Sequence, residues 1–93
     1  MGKFLIEVPH EADETACVNA VRIFYQTGSH FLANADWGCH DGEHKAWLLV
    51  EVETKAQALQ ILPPAFRPDA KIILLHKFTR EEMDSIEEAH VVK

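Results

Sequence analysis

The sequence predicts an α+β fold that runs strand, helix, strand, strand, helix, strand and then adds one further helix. Three observations predict it. Apolar residues alternate with period two in four separate stretches, and the pattern between the first pair and between the last pair changes to helical spacing. Between the middle two stretches stands Asp41-Gly42, a dipeptide suited to reversing a hairpin. At 93 residues the chain is expected to be one domain, residues 1–93, with a single core, and no linker or repeat divides it.

Each element follows from its own residues. KFLIEV sets Phe4, Ile6 and Val8 on one face and Leu5 and Glu7 on the other, and Pro9 ends this first strand. From about Asp13, the positions Cys17, Ala20, Val21 and Phe24 recur at helical spacing, acidic residues crowd the first turn, and Gly28 follows as a stop. SHFLANADW alternates again, with Phe31, Ala33, Ala35 and Trp37 opposing His30, Leu32, Asn34 and Asp36, and predicts a second strand. After CHDGE, HKAWLLVEVE places Ala46, Leu48, Val50 and Val52 against Lys45, Trp47, Leu49 and Glu51, which completes a hairpin. Thr54 caps a short helix through KAQALQIL, closed by Pro63 and Pro64. PPAFRPD is a connecting loop, AKIILLHKF is the fourth strand, and Thr79 with Glu82 makes a capping box for a terminal helix over about 80–90 carrying Met83 and Ile86.

That order is the ferredoxin-like βαββαβ pattern, which implies sheet order 4-1-3-2 with both main helices on one face. The other face would present Leu5, Leu32, Trp47, Leu49, Ile73 and Leu75, too apolar a set for water to be its neighbour. The expected cover is the sheet of a second copy, giving a homodimer of the dimeric α+β barrel type. The alternative is that the terminal helix folds back over it.

Hydrophobic residues at 47% and charged residues at 26% are those of an ordinary soluble chain. A net charge of -6, with the nine Lys and Arg scattered, argues against nucleic acid as a partner. No stretch approaches the roughly 20 apolar residues of a membrane span. MGKFLIEVPHE has no basic segment leading into an apolar one, and Ile6 stands where a myristoylation signal wants a small hydroxyl residue. The chain is therefore expected to be cytoplasmic, with Cys17 and Cys39 as thiols. No glycine elbow flanks Ser29 or Ser85, and no phosphate-cradling glycine loop is present, so whether the protein is an enzyme stays open.

WGCHDGEHKAW, Trp37 to Trp47, carries more chemistry than a turn requires. In the expected topology, the ends of strands one and two and the start of strand three share one edge of the sheet. His10 and Glu11, then Asp36, Cys39 and His40, then His44 would gather there, with Cys17 contributed from the first helix. Imidazole and thiolate are ligands favoured by zinc, nickel and copper. The preferred ligands are His10, Cys39 and His44, with His40 and Cys17 as alternates. Carboxylates of Glu11, Asp36, Asp41 and Glu43 would complete the set or orient the imidazoles. The plainer alternatives are solvated histidines on a hairpin tip and a core cysteine at Cys17. His30 and His76 are expected at the opposite end of the sheet, and His90 near the end of the terminal helix. The Thr27-Gly28-Ser29 corner closes a helix C-terminus, where the dipole disfavours anions.

A second set, Glu7, Asn34, Asp36 and Trp47, would line a cavity between two facing sheets and take a small organic ligand, with Glu7 as a proton carrier if buried. Its alternative is an ordinary interface. The cysteine in the first helix, the histidine in strand two and the D-G-x-x-K-x-W leading into strand three resemble the small stand-alone ferredoxin-like proteins, which include a nickel-binding family. In layout the chain is more distantly similar to dimeric α+β barrel proteins such as muconolactone isomerases and small monooxygenases. The resemblance implies a homodimer and metal binding by His30, Cys39, His40 or His44. The added terminal helix and the IEVPHE segment depart from it.

Overall fold

Alternating burial along GKFLIEVP produces strand β1, Gly2–Pro9, in a computed structural model that describes residues 1–27 and 29–91, the last four of these by backbone. Gly28, the expected stop and the centre of the Thr27-Gly28-Ser29 corner, lies outside the described residues, as does the His90 side chain. The remaining elements are helix α1 Glu14–Gln26, a short helix α2 His30–Ala33, strands β2 Asp36–Trp37 and β3 Lys45–Val52, helix α3 Lys55–Ile61, strand β4 Lys71–Leu75 and helix α4 Arg80–Val91.

The four strands form one antiparallel sheet in the order β2-β3-β1-β4, the expected arrangement. Strand β1 is central, paired with β3 from Gly2↔Val52 to Pro9↔Lys45 and with β4 from Lys3↔Leu75 to Glu7↔Lys71. Phe4, Ile6, Val8, Ala46, Leu48 and Val50 face the helices and form the core with Phe24, Leu32, Ala58 and Leu62. The Phe24 ring lies 4.9 Å from Trp37 and 5.3 Å from Phe66, centroid to centroid. Phe66 is held there by a 3₁₀ turn, Pro64–Phe66, inside the segment expected as plain loop.

Helix starts follow their caps. Asp13 Oδ1 accepts from the Ala16 N–H at 2.7 Å, and Thr54 Oγ1 accepts from the Gln57 N–H at 3.1 Å. Thr79 and Glu82 exchange the two bonds of a capping box, each at 3.1 Å, and His76 Nε2 meets Glu82 Oε2 at 2.7 Å. The bond to His76, then that to the Thr79 N–H, holds the Glu82 carboxyl below its ordinary value.

One expected element is corrected. SHFLANADW is not a continuous strand: its first half winds into α2, and only Asp36 and Trp37 pair with β3. The helical turn drives Leu32 into the core at 2% exposure, and Asn34 Nδ2 closes it by donating to the His30 carbonyl at 2.8 Å. Leu32 therefore leaves the open sheet face on which alternation had placed it. His30, expected on an edge strand, sits on this exposed helical turn beside Phe31.

That face carries the row Leu49, Leu5, Ile73 across β3, β1 and β4, flanked by Trp47 and Leu75. Helix α4 does not fold back over it: Phe78, Met83 and Ile86 stay exposed. The molecule measures 54 × 29 × 21 Å with a radius of gyration of 16.9 Å, against about 13 Å for a compact chain of such length. Among the described residues no helix is long and apolar enough to cross a membrane.

Candidate metal centre

Antiparallel pairing of β1 with β3 brings the end of one beside the start of the other, and the ladder extends one bond further, from the His10 N–H to the His44 carbonyl at 3.0 Å. Two residues beyond the inward-facing pair Val8 and Ala46, His10 and His44 continue the same alternation toward the helix side. Their rings meet edge to face with centroids 5.7 Å apart, and Trp37 stands 5.9 Å from His10.

Cys39 arrives from the β2–β3 connection. This is a 3₁₀ turn, Cys39–Asp41, closed by Gly42 at φ 81°, where a residue without Cβ is favoured. Gly38 anchors the turn: its N–H donates to the Lys45 carbonyl at 3.1 Å, and its carbonyl accepts from Asp41 and Glu43, each at 3.0 Å. The expected Asp-Gly reversal is thus present in a longer connection than a two-residue hairpin.

One donor atom from each of His10, Cys39 and His44 lies within 4.8 Å of the others, and the three could hold a metal ion. All are half-buried. His10 Nδ1 bonds the Glu11 carbonyl at 2.9 Å. A carbonyl only accepts, so Nδ1 carries the proton and Nε2, 3.2 Å from Cys39 Sγ, presents its lone pair to the cluster. This is how a ligating histidine is commonly oriented, its second nitrogen donating to a fixed oxygen. His44 Nδ1 is buried and has no hydrogen-bond partner among the described residues. Burial, then the neighbouring Cys17 thiol, push the Cys39 thiol up from 9.0 to about 11.

The alternates divide. Cys17, in the first turns of α1, places its sulfur 2.6 Å from that of Cys39 but stands outside the three-donor group. His40 is exposed; it borders, with Asp13, Glu14, Cys17, Val18, Cys39 and His44, a surface pocket of 430 Å³, but is also outside the group. No carboxylate of Glu11, Asp36, Asp41 or Glu43 joins the group, and all four residues are exposed. The partner of His10 Nδ1 is the backbone carbonyl of Glu11 instead, which no pattern of side chains would have revealed. Gly38 is a further residue on which the site depends. Its signal was the tryptophan on each side of the turn, since a ring crossing a chain at close range requires a residue with no side chain.

Of the second set, Glu7, Trp47 and Asp36 are cross-strand neighbours on the open face. Trp47 Nε1 donates to Glu7 Oε1 at 3.2 Å, and Lys45 Nζ lies 3.7 Å from Glu7 Oε2. Asn34 is not among them, its side chain being bonded within α2. His76 is engaged with Glu82, away from the cluster. Comparison of the chain with protein-family models, with curated proteins and with solved structures finds no match.

Proposed function

We propose that this protein binds a divalent transition metal ion through His10, Cys39 and His44. The observation that carries the reading is the convergence of the three donor atoms, one of two imidazoles with its tautomer set by a backbone carbonyl and the other with a buried, unpartnered Nδ1. Two imidazoles and a thiolate suit zinc, nickel or copper, and three donors leave a position for a further ligand. The cation replaces the Cys39 proton, so binding releases a proton and strengthens as pH rises.

The test is a titration of the reduced, tag-free chain with cobalt(II), read by the sulfur-to-metal charge-transfer band, alongside zinc competition. One ion per chain is expected, weakened by about tenfold or more in each of His10→Ala, Cys39→Ala and His44→Ala. Unchanged affinity in all three variants refutes the reading.

The partner we propose is a second copy seated on the open sheet face. Its support is the apolar row Leu5, Leu49 and Ile73, with Leu49 60% exposed and the other two half-buried, and the presence of both Lys3 and Lys71 and Glu7 and Glu51 on that face, so that a two-fold copy can meet opposite charge. Light scattering at micromolar concentration is expected to give twice the chain mass; a monomer there removes this partner.

A further inference from the structure

Cys17 makes a contact at the centre that the metal reading leaves unused. Its sulfur does not join the three-donor group, yet it lies 2.6 Å from the sulfur of Cys39, the group's sole thiol. Both sulfurs are presented by well-anchored backbone. Cys17 donates its N–H to the Asp13 carbonyl at 3.1 Å in the first turn of α1, which Asp13 also caps. Cys39 opens the 3₁₀ turn that Gly38 ties to β3. Forming a bond of about 2.05 Å therefore requires a small side-chain adjustment rather than a refolding of either element. Both thiols border the 430 Å³ surface pocket, which gives a small reagent access to them.

We propose that Cys17 and Cys39 form a redox modification site, oxidised to an intramolecular disulfide by a low-molecular-weight disulfide such as oxidised glutathione. The thiolate of one cysteine attacks the glutathione disulfide, forming a mixed disulfide and releasing one glutathione thiolate. The thiolate of the other then attacks the protein sulfur of that mixed disulfide, forming the Cys17–Cys39 bond and expelling the second glutathione. The protein loses two electrons and its two thiol protons; oxidised glutathione gains both pairs and leaves as two molecules of reduced glutathione.

The consequence for the metal rests on the function proposed above. The thiolate is the ligand, and a sulfur bound in a disulfide is no longer one. Oxidation leaves His10 and His44 alone, so the ion is released. Conversely, an ion that holds Cys39 engages the sulfur electrons that exchange requires, and the metal-loaded protein oxidises more slowly than the metal-free one.

The test uses the full chain, reduced and metal-free, equilibrated with oxidised glutathione and examined by intact mass, peptide mapping and non-reducing electrophoresis, then titrated with cobalt(II) before and after oxidation. The expected product is a monomeric covalent species lighter by two hydrogen atoms, with the Cys17 and Cys39 peptides joined. Its cobalt affinity is lower by about tenfold or more and is restored by dithiothreitol. Cys17→Ser forms no internal crosslink. Two free thiols, glutathione adducts alone or crosslinks between chains alone in the wild-type protein overturn the proposal. A disulfide that forms in a chain whose reduced state never binds cobalt upholds the dithiol and refutes the metal centre. Cobalt binding without disulfide formation does the reverse.

Discussion

Replacing Gly38 with alanine tests the packing that positions Cys39. A Cβ at this residue would lie 2.7 Å from Cζ3 of Trp47, 2.8 Å from the Glu43 carbonyl oxygen and 2.9 Å from the Glu43 Cβ, where ordinary contact begins at 3.4 Å. Trp47 Nε1 donates to Glu7 Oε1 at 3.2 Å, so swinging the ring aside costs that bond. The Glu43 oxygen accepts the Lys45 N–H at 2.8 Å, so moving it loosens the start of β3. Relief demands shifts of several tenths of an ångström in a segment held by the three hydrogen bonds of Gly38. Overpacking of this kind costs about 1–3 kcal/mol. At about 2 kcal/mol, a domain of this size loses about 8–16 °C in Tm. Urea and thermal unfolding followed by circular dichroism measure it, and cobalt(II) affinity is expected to fall with it because Cys39 is the next residue. Gly42 provides the contrast, since no atom lies within 4 Å of a Cβ there and its need for glycine comes from φ 81° alone. Asn, which tolerates the left-handed region, is expected to recover most of the stability that Gly42→Ala loses, whereas no side chain is tolerated at position 38. A Gly38→Ala protein with the wild-type urea midpoint and Tm would refute the close approach and the account of how the turn is held.

Two further outcomes follow from caps and titration. Asp13→Ala removes the acceptor for the Ala16 N–H and is expected to destabilise the protein by about 1 kcal/mol, measured as a lowered urea midpoint at unchanged m, with Asp13→Asn recovering most of it. The Cys39 thiol holds its proton more tightly folded than unfolded, about 11 against 9.0, so between these pH values the folded chain binds more protons and stability falls as pH rises. Denaturation of metal-free protein across that window is expected to show the decline in the wild type and a smaller one in Cys39→Ala; identical slopes would contradict the burial of this thiol.

Much of the fold is legible in the sequence because its causes are local. Phe4, Ile6 and Val8 alternate whatever lies elsewhere in the chain. Asp13, Thr54 and Thr79 with Glu82 satisfy backbone groups within three residues of themselves, and Gly42 is set by its own φ. His10, Cys39 and His44 could be grouped beforehand because strand order alone brings the ends of β1 and β2 and the start of β3 to one edge. The segment from His30 to Trp37 was not legible. Its apolar residues fit a strand's alternation as well as a helical turn, and the choice fell to the core, in which the α2 turn buries Leu32 to 2% exposure. Tertiary structure likewise decided which polar groups serve the site. The docking of α1 on the sheet aims Cys17 at the Cys39 sulfur and leaves it out of the three-donor group, and a backbone carbonyl takes the place beside His10 expected of a carboxylate. Periodicity and capping are read over a few residues, whereas the direction of a side chain at a junction of three elements depends on distances between elements, which no spacing within any one of them contains.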